Sequence, residues 1–324
     1  NNYVCTYRFR QPLFNFEQFH HGIMKPDGVT LSQGGKEYKQ FIQEYNQIQT
    51  HVDREAQLPD AKKQIKTGIL WTHENRWGLD IQKRTTKWNS MDELFKYFNI
   101  ARSTGAPIEI IDEKADLENY EVVIVPAYQM VDSQTVQRWE NFVRDGGELI
   151  LTYRTGIKDQ HFHLWEGPWA QPINNLIGAE IQFYDLLPKG KQGEIAYNNE
   201  QYKWEIWADV LSPGKNTDVL ATYKDQYYSG RAAVLANEKG SGTVTYIGAA
   251  TESGNLERDL VRQVYQKISG DVRNLPPGVY THWRNGLHVA VNYSSTSYNL
   301  DLPSDANILL GNDNLEPAGV CVWK

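Results

Sequence analysis

Cysteine is nearly absent from this chain of 324 residues: Cys5 and Cys321 are the only two, one near each end. There is no Cys-x-x-Cys pair and no Cys/His spacing of the zinc-binding kind. Neither a disulfide-stapled scaffold nor a cysteine metal site is expected, and both thiols read as buried. Basic residues are outnumbered, 33 Lys and Arg against 40 Asp and Glu for a net charge of -7, and they form no block. A nucleic-acid partner is therefore not expected. Long apolar runs are missing as well; none approaches the ~20 residues that cross a bilayer, so no membrane partner is expected either. What the chain does have is rings, with 10 Trp, 19 Tyr and 10 Phe beside 3 Met. Flat rings stack on sugar faces, and they also build cores and subunit contacts.

The chain opens on Asn1 rather than Met, and its first elements look like the last corner of a larger enzyme, so a piece of a longer protein is expected. Residues 3–9 alternate as a short strand, and 18–24 and 36 to about 54 read as helices separated by the turn Lys25-Pro-Asp-Gly28. On the second helix Tyr38, Phe41, Tyr45, Ile48 and Val52 recur at helical spacing and predict one buried face. A strand, its following helix and an outer helix are what the end of a β/α barrel looks like. The stretch Leu58-Pro-Asp-Ala-Lys-Lys63 then reads as a linker.

A different rhythm follows. Thr67-Gly-Ile-Leu-Trp71, 108–111, Glu121-Val-Val-Ile-Val-Pro126 and Gly146-Gly-Glu-Leu-Ile-Leu-Thr152 carry apolar runs with little polar alternation and are separated by amphipathic helices at 91–102 and 133–144. That pattern predicts a parallel sheet covered on both faces, an α/β domain of the flavodoxin-like, doubly wound class. Strands at 219–223, 232–236 and 243–247, the last two joined by Gly240-Ser-Gly242, precede a closing helix at 256–268. Beyond Gly270 helical signals stop. Two alternating runs split by Arg284-Asn-Gly286 predict a hairpin, and later short strands predict a small antiparallel β domain. The expected division is 1–58, 59–271 and 272–324.

The first α/β strand is followed by Thr72-His-Glu-Asn-Arg-Trp77, which lacks the glycines that cradle a phosphate, so no nucleotide or other cofactor is expected. No Ser or Cys stands at a strand-to-helix elbow. The domain resembles the glutamine-amidotransferase-like fold without its nucleophile, which favours a structural or assembly role over an independent enzyme. His73 and Glu74 form a candidate acid/base pair in what reads as a polar loop. His161 and His163 stand at metal-ligand spacing with no third ligand, so no metal site is expected. Glu17 and His20 are better placed: at i, i+3 they share a helix face where a barrel of this type assembles its site, with Tyr7 or Phe9 as a stacking surface.

Arg10-Gln11 with Glu17-Gln-Phe-His20 and the Pro26-Asp-Gly28 turn is similar to the end of the catalytic barrel of family 42 glycoside hydrolases, the retaining β-galactosidases. His73-Glu-Asn-Arg-Trp77, Leu117-Glu-Asn-Tyr120, Gly146-Gly147 and Thr152-Tyr-Arg-Thr-Gly156 resemble that family's trimerisation domain. Leu300-Asp-Leu-Pro303, Leu309-Leu-Gly311 and Pro317 resemble its small C-terminal domain. The resemblance covers the whole chain. It implies a β-galactoside substrate, a homotrimer, and a galactose-binding role for Glu17 and His20 with Tyr7 lining the pocket. It also implies that the two catalytic glutamates lie upstream of this chain, and it leaves bacterial cytoplasm and periplasm both open. Pro12-Leu-Phe-Asn-Phe16 departs from the small, Gly-rich stretch expected before Glu17, which predicts a reshaped pocket. A non-catalytic carbohydrate-binding or assembly module is the alternative.

Overall fold

A computed structural model of the chain describes residues 23–59, 65–251, 253–269 and 272–324. Cys5, Tyr7, Phe9, Arg10, Glu17 and His20 lie outside the described residues, and so do the expectations placed on them. The described residues divide into two compact units, one within Asn1–Asp60 and Leu275–Lys324, the other within Ala61–Asn274.

The larger unit is built on a mixed sheet. Strands β1 (Thr67–Leu70), β2 (Ile108–Ile111), β3 (Val122–Val125) and β4 (Glu148–Thr152) are parallel and lie side by side in the order β2-β1-β3-β4. The parallel run continues into β10 (Gly242–Ile247) beside β4. Both faces are covered, as the continuous apolar runs require. Val122 and Ile124 face the cluster with Leu94, Tyr97 and Ile100 of α3 (Ser90–Ser103) and Leu256, Leu260 and Val264 of α6 (Asn255–Ser269). Val123 and Val125 face Trp139, Phe142 and Val143 of α4 (Ser133–Arg144) and Ile173, Leu176 and Ile177 of α5 (Gln171–Ile177). Gly147 is needed for close approach, since a Cβ there would meet the Phe142 ring at 2.3 Å.

Beyond β10 the sheet turns antiparallel, through β9 (Ala232–Lys239), β8 (Asp218–Tyr223), β6 (Gly193–Tyr197) and β7 (Glu200–Pro213) to β11 (Ala249–Thr251), with β5 (Ala179–Asp185) also on β7. Strands β5 to β7 are absent from the sequence-based expectation. Charged and aromatic residues share β7: Lys203 and Glu205 flank the fully buried Trp204, so no aliphatic run marks the strand. The expected hairpin at Gly240-Ser-Gly242 is present as the antiparallel β9/β10 pair.

In the smaller unit, helix α1 (Gln33–Gln49) starts at the N-cap Ser32, whose hydroxyl accepts from the Gly35 amide at 3.0 Å. Phe41 and Ile48 are buried on the predicted face. The β part is a four-stranded antiparallel sheet of β12 (Val279–Arg284), β13 (Leu287–Asn292), β17 (Val320–Trp323) and β15 (Ile308–Leu310), with a separate pair β14 (Tyr298–Asn299) and β16 (Asn314–Leu315). The β12/β13 turn puts Asn285 at φ 51° and Gly286 at φ 79°, the left-handed pair that an Asn-Gly hairpin needs. Ile48 packs with Leu287, Val289 and Val322, and the Gln47 side-chain amide donates to the Leu309 carbonyl at 2.9 Å. Cys321 is buried in the other cluster with Val279 and Trp323, and burial pushes its thiol up to about 11. Because so small a sheet leans on α1, Ile48→Ala is expected to cost this unit about 2–5 kcal/mol. Chemical denaturation followed by fluorescence measures it, and a loss below about 1 kcal/mol contradicts this packing role.

Candidate functional site at the carboxyl end of the parallel sheet

Open α/β sheets bind ligands beyond the carboxyl ends of their strands, so the ends of β1, β3 and β4 are where chemistry would sit in the larger unit. After β1, Thr72 caps α2 (His73–Ile81), its hydroxyl accepting from the Asn75 amide at 3.3 Å. The expected polar loop is thus a helix. Its signal was a Thr N-cap with Glu74 in the first turn, masked by the absence of an aliphatic stripe. Asn75 then ties two loops together, donating to the Ala127 carbonyl at 3.2 Å and accepting from the Gln129 amide at 2.8 Å. Ala127, at φ 45°, donates in turn to the Thr152 hydroxyl at the end of β4.

The next residues fill the crevice. Tyr153 is fully buried and accepts from the Trp88 indole at 2.9 Å. Arg154, 1% exposed and at φ 65°, lays its guanidinium 4.3 Å from the Trp88 ring and 5.1 Å from the Trp207 ring. It donates to the carbonyls of Gln82 at 3.0 Å and Lys83 at 3.2 Å, capping the end of α2. Asp209, fully buried on β7, accepts from the Trp207 indole at 2.8 Å, the Tyr246 hydroxyl at 2.7 Å and the Arg154 amide at 3.4 Å. Burial pushes its carboxyl up to about 6, and those three donors hold it from rising further. The space left among Trp71, Asn75, Trp88 and Ala127 is a cavity of about 10 Å³, room for one water at most. The crevice is filled by the protein's own side chains.

His73 and Glu74 are both exposed, and the His73 ring lies against Trp71 at 4.6 Å and Trp77 at 5.7 Å, an aromatic cluster instead of an acid/base pair. The amides of His161 and His163 both donate to Asp159 Oδ1, at 2.8 and 2.9 Å. Among the described residues no group of three metal-ligating side chains occurs. A second buried charge cluster lies under α3 and α6: Lys96 Nζ is 3.0 Å from Glu93 and 2.9 Å from Glu257, and Glu257 also accepts from the Thr251 amide at 3.0 Å and from its hydroxyl. Sequence reasoning missed this cluster and Asp209 alike, because Glu257 meets Lys96, and Asp209 meets Tyr246 and Arg154, from distant parts of the chain.

Fold and filled crevice define a mixed α/β domain whose polar residues serve its own packing. The chain belongs to the beta-galactosidase trimerisation domain family, whose model matches residues 65–275. It is 26% identical over 314 residues to the beta-galactosidase BgaH of Haloferax lucentense, covering 97% of this chain and 45% of that protein. It is also 24% identical over 277 residues to the beta-galactosidase GanA of Bacillus subtilis, covering 84% and 39%. The beta-galactosidase structure from Halorubrum lacusprofundi matches with a TM-score of 0.79 at 24% identity, over 92% of this chain and 44% of that one. That from Marinomonas ef1 matches with a TM-score of 0.78 at 23% identity, over 96% and 45%. The chain thus spans less than half the length of the curated relatives it matches. The kinship expected with family 42 glycoside hydrolases is met.

Proposed function

We propose that the protein to which this chain belongs is a retaining β-galactosidase that hydrolyses terminal β-D-galactosides and assembles as a homotrimer. Within it, the chain supplies one wall of the sugar site, the assembly domain and the small β module. The observation that carries this reading is the family match over 65–275, together with curated relatives named beta-galactosidase whose similarity covers 97% of the chain in one case and 84% in another. The parallel order β2-β1-β3-β4-β10 supports the flavodoxin-like reading of the larger unit. Its filled crevice supports assembly over chemistry. Residues 1–58 are proposed as the end of the catalytic barrel, with Glu17 and His20 holding galactose hydroxyls and Tyr7 lining the pocket.

Retaining hydrolysis needs two carboxyl groups about 5–5.5 Å apart across the bond, one nucleophile and one acid/base. Both are proposed to lie upstream of this chain, so the chain by itself is expected to give no turnover of a chromogenic β-galactoside above buffer. In the longer protein, Glu17→Gln or His20→Ala is expected to lower kcat/KM about 10- to 100-fold with the melting temperature unchanged, because each removes a polar contact that strengthens in the transition state. Parental kinetics in both variants would remove the site assignment. Hydrolysis by the chain alone that vanishes with Glu17→Gln would overturn the family mechanism for it.

A further inference from the structure

The end of α2 carries an apolar face beside a group of cations. Trp77 and Ile81, one turn apart on the helix, are 57% and 79% exposed. The tip of the Phe162 ring abuts the same helix, so close that a Cβ on Gly78 would overlap it, and Leu164 is 47% exposed. Lys158, in a β-bridge with Leu164, is 1% exposed; its ammonium donates to Gln82 Oε1 at 2.6 Å and sits 4.1 Å from the centre of the Phe162 ring. Arg154 lies beneath, on the Gln82 and Lys83 carbonyls, and the exposed Arg84 adds a third cation. Among the described residues, none of the three is ion-paired. Arg154 feels the buried carboxylates of Asp209 and Glu93, whereas the charges acting on Lys158 are the cations Arg84 and Arg154.

Lys158 is buried with no carboxylate acting on it, and together with the exposed Lys83 and Arg84 it leaves a positive potential at this end of α2. An exposed Trp and Ile beside them, rimmed by Lys83 and Arg84, has the make-up of an interface centre, rich in aromatic and Arg anchors. We infer that this surface, the outer face of α2 with the 158–164 loop, is one half of the subunit contact, and that its occupant is a carboxylate-bearing surface of a second copy of the protein. The inference rests on the assembly reading above and deepens it. A ring of three is built from head-to-tail contacts, so each subunit needs two unlike patches, and a patch that is apolar and cationic calls for an acidic partner. The chain's net charge of -7 makes a second copy a matching source of carboxylates.

The test is sedimentation velocity of the full-length protein across micromolar concentrations, with folding checked by circular dichroism. Ile81→Asp is expected to raise the trimer dissociation constant about 100-fold, and Arg84→Glu to weaken it by about 10-fold and flatten its salt dependence. Lys158→Met is expected to weaken the trimer while raising the melting temperature of the dissociated subunit, a pairing that a purely structural lysine would not produce. Tyr227→Ala, at a residue 83% exposed on the 224–231 loop, serves as the control and is expected to change nothing. A parental protein that is monomeric overturns the assembly reading and this inference together. A trimeric parent whose Ile81→Asp and Arg84→Glu variants stay trimeric with unchanged affinity overturns the inference alone.

Discussion

Glu257→Ala is expected to destabilise the larger unit by about 3–5 kcal/mol, because it strips a buried cation of its principal partner. Lys96 sits between Glu257, which is fully buried, and Glu93. Burial alone would push the lysine's pKa down, but the two carboxylates more than offset it and hold it above its ordinary value. A group raised in this way contributes stability that is fully present below the unfolded pKa of 10.5 and is lost only as pH rises beyond it. The cost is therefore expected in full at neutral pH. Glu257 also holds the Thr251 amide and hydroxyl, so the same change leaves the end of β11 unpaired. Urea denaturation measures the loss. Adding Lys96→Met and Glu93→Leu to Glu257→Leu is expected to restore part of it, since an apolar cluster then replaces all three buried charges. A Glu257→Ala cost below about 1 kcal/mol, or a triple variant no better than Glu257→Leu alone, would show that the charges are not coupled as the distances imply.

Asp209 bends stability the other way. Its carboxyl is raised from 3.8 to about 6 by burial, so between those values the folded state binds more protons than the unfolded one. Stability from this group is then greatest below about pH 4 and falls as pH rises through 6, by roughly 3 kcal/mol in all, a slope opposite to that of an ion-paired carboxylate. Asp209→Asn removes the titration. It also sets an amide donor among the Trp207 indole, the Tyr246 hydroxyl and the Arg154 amide, which all donate. The variant is expected to be weaker than the parent, with a difference that is largest near pH 4.5 and shrinks towards pH 7.5. Paired denaturation curves at four pH values decide it. A difference that does not change with pH would mean that Asp209 titrates near its ordinary value.

These two groups also mark where sequence reading runs out. β1, β3 and β4 were legible because a strand buried on both faces is apolar through its centre, as Ile69-Leu70, Val122 to Val125 and Leu149 to Leu151 are. Asn285-Gly286 was legible because few residue pairs accept two left-handed conformations in succession. Helix α2 was hidden because Trp77 and Ile81 face outward while Asn75, a polar residue, faces in. Trp88, one of the rings that composition counts, is 3% exposed and packs on Arg154, while Trp77 is 57% exposed. Composition counts rings; only packing sorts them between core and surface.

By itself, the chain's order of apolar runs, turns and amphipathic helices determined a mixed α/β architecture followed by a small antiparallel module, and its scattered motifs determined the family. Those features are local: a turn, a helix face or a strand is decided by neighbours a few residues apart. The filled crevice, the Lys96 cluster, the raised Asp209 and the group of cations at the end of α2 were decided by tertiary structure alone. Each joins residues far apart in the chain, as Arg154 with Gln82 and Trp207, or Lys96 with Glu257. A charge's cost depends on how much water its neighbours exclude and which dipoles they turn toward it, and both exist only once the chain has closed around it.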